Sequence, residues 1–211
     1  ASASAGGIGA IDLATDDLIT DITVTGTATL QATVRDTNGD LVNDGTVVVF
    51  ELSGIGKLDD GGSDVNIMTA TTASGVATVT VNAPTLIGSD TITASSGGVS
   101  DSVSLDYVAD APDSVTLSAS PATVGVGNDS TLTAVVYDQY GNVVENQLVN
   151  FALTVDNSGA RLTPSAGNAM TNANGVATIL YTAGTTSGVS DTVDVTVVGT
   201  AVAAASQQLN V

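Results

Sequence analysis

Thr29-Leu30-Gln31-Ala32-Thr33-Val34-Arg35-Asp36-Thr37-Asn38-Gly39 returns further along the chain as Thr131-Leu132-Thr133-Ala134-Val135-Val136-Tyr137-Asp138-Gln139-Tyr140-Gly141. In both stretches the apolar residues alternate with polar ones: Leu30, Ala32 and Val34 point one way, and Leu132, Ala134 and Val136 repeat the phase. Period-two alternation that stops at a Gly-containing turn is the mark of an antiparallel strand with one face on a core and the other in water. A second stretch, Gly75-Val76-Ala77-Thr78, recurs letter for letter as Gly175-Val176-Ala177-Thr178, opening the alternations Ala77, Val79, Val81 and Ala177, Ile179, Tyr181. A repeat of about 100 residues is the length of one small all-β domain, so the chain reads as two tandem copies of one.

Turn signals set the remaining punctuation: Asn38-Gly39, Asp60-Gly61-Gly62, Ser74-Gly75, Gly97-Gly98, Gly141-Asn142 and Asn174-Gly175 fall at short, regular intervals. Strands are expected at 21–25, 28–36, 46–53, 66–71, 76–82, 90–96 and 99–108 in the first copy. In the second they are expected at 114–119, 130–138, 147–155, 168–171, 176–182, 190–198 and 203–211. So many short strands pack most economically as a sandwich of two sheets. The expected division is a Gly-rich flexible lead-in at 1–9, a first sandwich at 10–108, a linker at 109–113 around Pro112, and a second sandwich at 114–211.

Composition narrows the function classes. Hydrophobic residues make up 43% of the 211, yet the aromatics are only four Tyr and two Phe, so the cores rest on Val, Leu, Ile and Ala. Phe50, Phe151, Tyr107 and Tyr181 fall on inward phases and are expected in those cores, whereas Tyr140 lies in a turn. Three basic side chains (Arg35, Lys57, Arg161) stand against 22 acidic ones, for a formal net charge of −19. That excludes nucleic acid as a partner and disfavours an anionic membrane, because no cationic surface exists to displace phosphate counterions. The same charge favours a soluble monomer, and salt or divalent cations outside a cell would relieve its self-repulsion. Apolar runs such as Ala201 to Ala205 are far too short to span a bilayer, and the segment starting at Ala1 is expected to be mature or excised.

The chain contains no His and no Cys, so neither Ser-His-Asp nor Cys-His machinery can be assembled, and disulfides are absent. No catalytic residue is assigned, no cofactor is required, and the expected class is non-enzymatic. The sole lysine, Lys57, raises the question of an isopeptide bond to an Asn, but its counterpart in the second copy is Arg161, which cannot form one. Calcium is the chemical candidate. Asp101, Asp106, Asp110 and Asp113 surround the junction and are candidate ligands of an interdomain ion. Asp36, Asn38 and Asp40 put oxygen at alternate positions, as calcium loops do, without the Gly at the sixth position or the acid at the twelfth. Their equivalent, Asp138-Gln139-Tyr140-Gly141-Asn142, has lost the middle ligand, which favours a hairpin turn.

Gly141-Asn142-Val143-Val144-Glu145-Asn146-Gln147-Leu148-Val149-Asn150-Phe151, followed by Thr171-Asn172-Ala173-Asn174-Gly175-Val176-Ala177-Thr178, resembles the bacterial immunoglobulin-like domains of the invasin and intimin type (Big-1-like). The first copy follows less closely, with Gly39-Asp40-Leu41-Val42, one extra residue before Phe50, and Thr71-Thr72-Ala73-Ser74-Gly75-Val76-Ala77-Thr78. The resemblance implies two tandem immunoglobulin-like β-sandwiches of the kind strung in series in the stalks of bacterial cell-surface adhesins, and found also on phage virions. The implied partners are neighbouring modules of the parent chain and, through a distal element, a host or surface protein or glycan. The implied location is extracellular, on a bacterial surface through an outer-membrane-anchored parent, or on a virion as a tail or capsid module giving weak host attachment. A carbohydrate-binding accessory module of a secreted enzyme is a third reading; such modules usually present a Trp or Tyr platform, and this chain has no Trp.

The charge makes a direct prediction. Thermal midpoints should rise from low salt to ~0.1 M salt and above, where the screening length falls to ~10 Å. Each 1 kcal/mol of relieved repulsion raises the midpoint by roughly 4–8 °C for domains of this size. Midpoints that do not move with salt would show that the charges are already well separated or ion-compensated.

Overall fold

The computed structural model describes residues 7–16 and 18–211. The chain divides into two compact units, Ala1–Val108 and Ala109–Val211, and the described residues of both are strands joined by turns and loops. Unit 1 contains β1 (Ile8–Thr15), β2 (Asp21–Thr23), β3 (Thr27–Asp36), β4 (Val47–Ser53), β5 (Lys57–Asp59), β6 (Asp64–Val65), β7 (Ile67–Thr71), β8 (Val76–Asn82), β9 (Gly88–Ser96) and β10 (Val99–Val108). Unit 2 contains β11 (Pro112–Ser120), β12 (Asp129–Asp138), β13 (Leu148–Val155), β14 (Arg161–Thr163), β15 (Asn168–Met170), β16 (Val176–Thr182), β17 (Ser190–Val197) and β18 (Ala205–Asn210).

Each unit is a two-sheet sandwich. In unit 1 the sheet β1-β3-β8-β5-β6 faces β2-β10-β9-β4-β7, and in unit 2 β11-β12-β16-β14 faces β15-β13-β17-β18. The alternation that identified the strands builds the core: Leu30, Ala32, Val34, Ala77, Val81, Val48, Phe50, Ile92, Ala94 and Leu105 are all fully buried in unit 1. Leu132, Ala134, Val136, Val149, Tyr181, Val193, Val195 and Leu209 do the same in unit 2. The recurring Ala residues meet across strands, Ala32 opposite Ala77 and Ala134 opposite Ala177. The glycine before each pair has positive φ, +79° at Gly75 and +69° at Gly175, a backbone state that costs other residues energy. Its carbonyl caps the neighbouring strand, accepting from Val34 in one unit and Val136 in the other.

Two expected boundaries change. The lead-in at 1–9 lies outside the described residues as far as residue 6, but Ile8 and Gly9 belong to β1, which continues to Thr15 and pairs with β3. Ile11, Leu13 and Thr15 are buried along it, so this is a true edge strand of the core. Its register slips between Ile8 and Ala10, and a Cβ on Gly9 would strike the Asp36 carbonyl. The glycine that reads as linker composition is therefore a bulge residue that lets two backbones approach. The linker at 109–113 also shortens, because Pro112 and Asp113 open β11, with Pro112 opposite Asp138 and a slip before Ser114. An edge strand tolerates proline at its start, where a missing N–H removes no ladder bond. The short strands β5, β6 and β14 were not expected either, being too brief to show a period.

Phe50 is wholly buried between the sheets, and truncating it should be severe. Phe50→Ala should cost unit 1 about 3–5 kcal/mol in urea denaturation, whereas Val49→Ala on the outer face of the same strand should cost well under 1 kcal/mol. Equal losses would contradict the facing of β4.

Candidate functional site

The four carboxylates proposed for an interdomain ion divide between the units. Asp101 and Asp106 sit on β10 and Asp110 and Asp113 lie in unit 2. On β10, five residues apart, Asp101 lies on the phase of buried Leu105 and Tyr107, while Asp106 lies on the solvent phase, so these two do not converge. Asp101 already has a partner: its Oδ2 accepts from the Leu13 amide at 2.9 Å, tying β1 to β10. The Asp110 carboxylate accepts from the Ala111 amide and from Gln139 Nε2 at 3.0 Å, and Asp113 is exposed at the β11 bulge. Among the described residues, no group of three or more acidic side chains is arranged to hold a metal ion.

Asp36, Asn38 and Asp40 form a closed turn. Asp36 Oδ1 accepts from the amides of Asn38 at 2.8 Å and Asp40 at 3.1 Å, and Asn38 Nδ2 donates to Asp36 Oδ2. Those bonds, led by the Asn38 amide, hold the Asp36 carboxyl below its ordinary range. Asp138 repeats the device in a buried setting, accepting from the amides of Tyr140 and Asn142 and from Asn142 Nδ2. Burial alone would raise the Asp138 carboxyl, but the Asn142 side chain and the surrounding amides outweigh it and the net direction is down. Turn fixation is thus the work of both aspartates. Lys57 Nζ donates to Asn66 Oδ1 at 2.6 Å, yet Asn66 is exposed and Lys57 only half-buried. A lysine nucleophile needs a desolvated pocket, and this pair has none. Tyr140 is 38% exposed at its turn.

The deepest polar feature of each unit is an aspartate that the sequence reading did not single out. Asp90 on β9 is 2% exposed and Asp191 on β17 is 0% exposed. Asp90 accepts from the amides of Ile55 at 2.6 Å and Gly56 at 2.8 Å and from the Tyr107 hydroxyl at 2.5 Å. Asp191 accepts from the amides of Asn157 and Ser158, from Ser158 Oγ and from the Tyr181 hydroxyl at 2.5 Å. In each unit the carboxylate pins the loop that crosses from one sheet to the other. The loop is shaped for it: a Cβ on Gly54 would strike the Asp90 carboxylate, and one on Gly56 would strike both that carboxylate and the Tyr107 hydroxyl.

The two phenols come from different strands. Tyr107 lies on the last strand of unit 1, whereas Tyr181 lies on β16, whose counterpart in unit 1 is β8 with Val81 at that position. The carboxylate keeps its place in the repeat and its phenol does not. Burial raises the Tyr181 hydroxyl first, its bond to Asp191 raises it further, and the result is about 12. Tyr107 moves in the same direction, for burial first and then its bond to Asp90. For Asp191, burial alone would raise the carboxyl, but bonds from Ser158, Tyr181 and the loop amides hold it below its ordinary range. A carboxylate enclosed by its own donors is out of reach of a substrate, so its chemistry is structural. The signal in the sequence was Ser89-Asp90-Thr91 recurring as Ser190-Asp191-Thr192.

No family model matches the chain. Among solved structures, FdeC, an adhesin of Escherichia coli, aligns over 98% of this chain and 65% of its own, with 22% identity and a TM-score of 0.71. InvD of Yersinia pseudotuberculosis aligns over 94% of this chain and 57% of its own, with 19% identity and a TM-score of 0.62. The chain thus spans less than two thirds of the length of either structure. The expected fold, two tandem immunoglobulin-like β-sandwiches, is the one observed.

Tyr181→Phe should cost about 1.5–3 kcal/mol at neutral pH, the range for a hydrogen bond to a charged group. Asp191→Ala should cost more, since four donors lose their acceptor together. The pH signs differ. Asp191 is depressed in the folded state, so its contribution is full above the unfolded value of ~3.9 and lost as pH falls through its folded value. Tyr181 is raised, so its contribution is full below ~10 and lost as pH rises toward its folded value of about 12. Melting curves of the wild type and Tyr181→Phe should therefore converge at alkaline pH; a constant gap up to pH 12 would refute the assignment.

Proposed function

We propose that this chain is a non-enzymatic stalk segment of a bacterial cell-surface, adhesin-like protein, two modules that carry a distal binding element away from the cell. The observation that carries this reading is where the repeated polar residues point. Asp36 and Asp138 close turns, Asp90 and Asp191 fasten crossing loops, and Thr72 and Thr171 bond the Asn43 and Val144 carbonyls. What the two copies share is used to maintain the sandwich, and residues shared for that purpose are those of a scaffold. The likeness in fold to an Escherichia coli adhesin supports the same reading. With no His, no Cys and buried carboxylates already saturated by internal donors, the residues favour mechanical over catalytic work.

In this role the net charge of −19 keeps neighbouring stalks apart in solution and the compact sandwiches supply reach. Ligand recognition belongs to other modules of the parent chain, and the expected location is outside the cell on the bacterial surface.

Antibodies raised against the 211-residue chain should label intact cells of the source organism, and the complete reading frame should encode further immunoglobulin-like modules and an outer-membrane anchor. Labelling only after lysis would overturn the surface location. A frame lying among tail and capsid genes would assign the modules to a virion instead.

A further inference from the structure

Tension applied to the ends of the chain passes through both units in series, entering each by its first strand and leaving by its last. The last strand of unit 1, β10, is held in three ways besides its antiparallel ladder with β9, which runs from Val99 to Tyr107. First, it lies parallel to β2, with Asp106 opposite Asp21, Tyr107 opposite Ile22 and Val108 opposite Thr23. Two further bonds extend that ladder, Asp106 N to Thr20 O at 2.7 Å and Val24 N to Val108 O at 2.9 Å. Second, Tyr107, at the centre of the parallel ladder, is anchored through its hydroxyl to buried Asp90. Third, Asp101 accepts from Leu13 of β1, joining the first strand to the last across the sheets.

Unit 2 has the same plan with fewer ties. Its last strand, β18, pairs with β17 only from Ala205 to Asn210; two further backbone bonds, Val211 N to Val189 O and Gly188 N to Val211 O, extend that ladder, and Ser190 and Ser206 donate at the surface to Asn210 Oδ1 and Asp194 Oδ1. The parallel contact shrinks to a single bridge between Thr123 and Asn210, carrying Asn210 N to Ala122 O and Val124 N to Asn210 O. The phenol that reaches Asp191 sits on β16, an interior strand of the opposite sheet, so it does not anchor β18. Parallel strands pulled from opposite ends carry load on all their rungs at once, and a longer ladder with a buried side-chain anchor must break more bonds together.

We infer that the two units form a graded mechanical pair, in which end-to-end tension opens unit 2 before unit 1 because β10 carries a three-residue parallel ladder, the Tyr107–Asp90 anchor and the Asp101–Leu13 tie that β18 lacks. Opening unit 2 releases on the order of 300 Å of chain at ~3.3–3.6 Å per residue while unit 1 stays folded. The value of this order to the parent protein rests on the stalk reading; the order itself belongs to the chain.

Single-molecule pulling of the whole chain by its two ends tests it. Two unfolding events at different forces are expected, with Tyr107→Phe and Asp101→Ala each lowering the higher one and leaving the lower unmoved. Tyr181→Phe should leave the higher event unmoved. The events are assigned independently by the double variant Asp21→Cys, Asp106→Cys, in a chain with no other cysteine. Adjacent paired positions suit a disulfide, and once oxidised it locks residues 21–106 against extension. The higher-force event should then disappear and return on reduction. Loss of the lower-force event in the oxidised variant, or equal forces for both units in the wild type, would overturn the inference. The expected force order in a protein that is not displayed on a surface would retain the graded pair and discard only the stalk reading.

Discussion

The buried aspartate of each sandwich is the constraint around which the rest is arranged. An ionised carboxylate between two sheets is costly unless its oxygens are fully supplied with donors. Asp90 and Asp191 are supplied by two loop amides and a phenol each, and Asp191 by the Ser158 hydroxyl as well. The requirement propagates outward. The crossing loop must bring its amides to the carboxylate, which in unit 1 demands glycine at positions 54 and 56 and in unit 2 is met by Asn157 and Ser158; a tyrosine must reach in from another strand; and the strand carrying the aspartate is an interior one of its sheet.

How the tyrosine reaches in is where the units part company. The requirement is for a hydroxyl at one point in space, and two strands pass close enough to supply it. Unit 1 meets it from β10 and places Val81 on β8; unit 2 meets it from β16 and places Tyr181 there. The bond from phenol to carboxylate is kept while the strand that supplies the phenol changes. The choice decides which strand is anchored, and so couples a detail of core chemistry to the resistance of each unit's last strand.

Much of the fold was legible because alternation and turn chemistry are local. Leu30, Ala32 and Val34 announce their facing without help from the rest of the chain, and Ser74-Gly75 announces its turn. Ile8–Thr15 was not legible in the same way. Gly9 reads as linker composition, and only the approach of the Asp36 backbone reveals it as a bulge in an edge strand. For Asp36, Asn38 and Asp40 the spacing allowed a calcium ligand set while the second copy favoured a hairpin turn, because spacing alone does not say whether a carboxylate faces an ion or its own amides; Asp36 faces its own amides. By composition Asp90 and Asp191 are two among 22 acidic residues, and only their shared Ser-Asp-Thr setting marks them as a repeated pair.

By itself, then, the sequence determined the two-copy plan, the β class, the facing of the main strands and the exclusion of His- or Cys-based chemistry, because composition, period and turn residues act within a few neighbours along the chain. Only the tertiary structure decided which aspartates are buried, that the two phenols arrive from different strands, and that β10 runs parallel to β2 over three residues where β18 keeps one bridge. Each of these depends on groups tens of residues apart meeting at hydrogen-bond distance, and that distance is set by the packing of two sheets, which no single segment encodes.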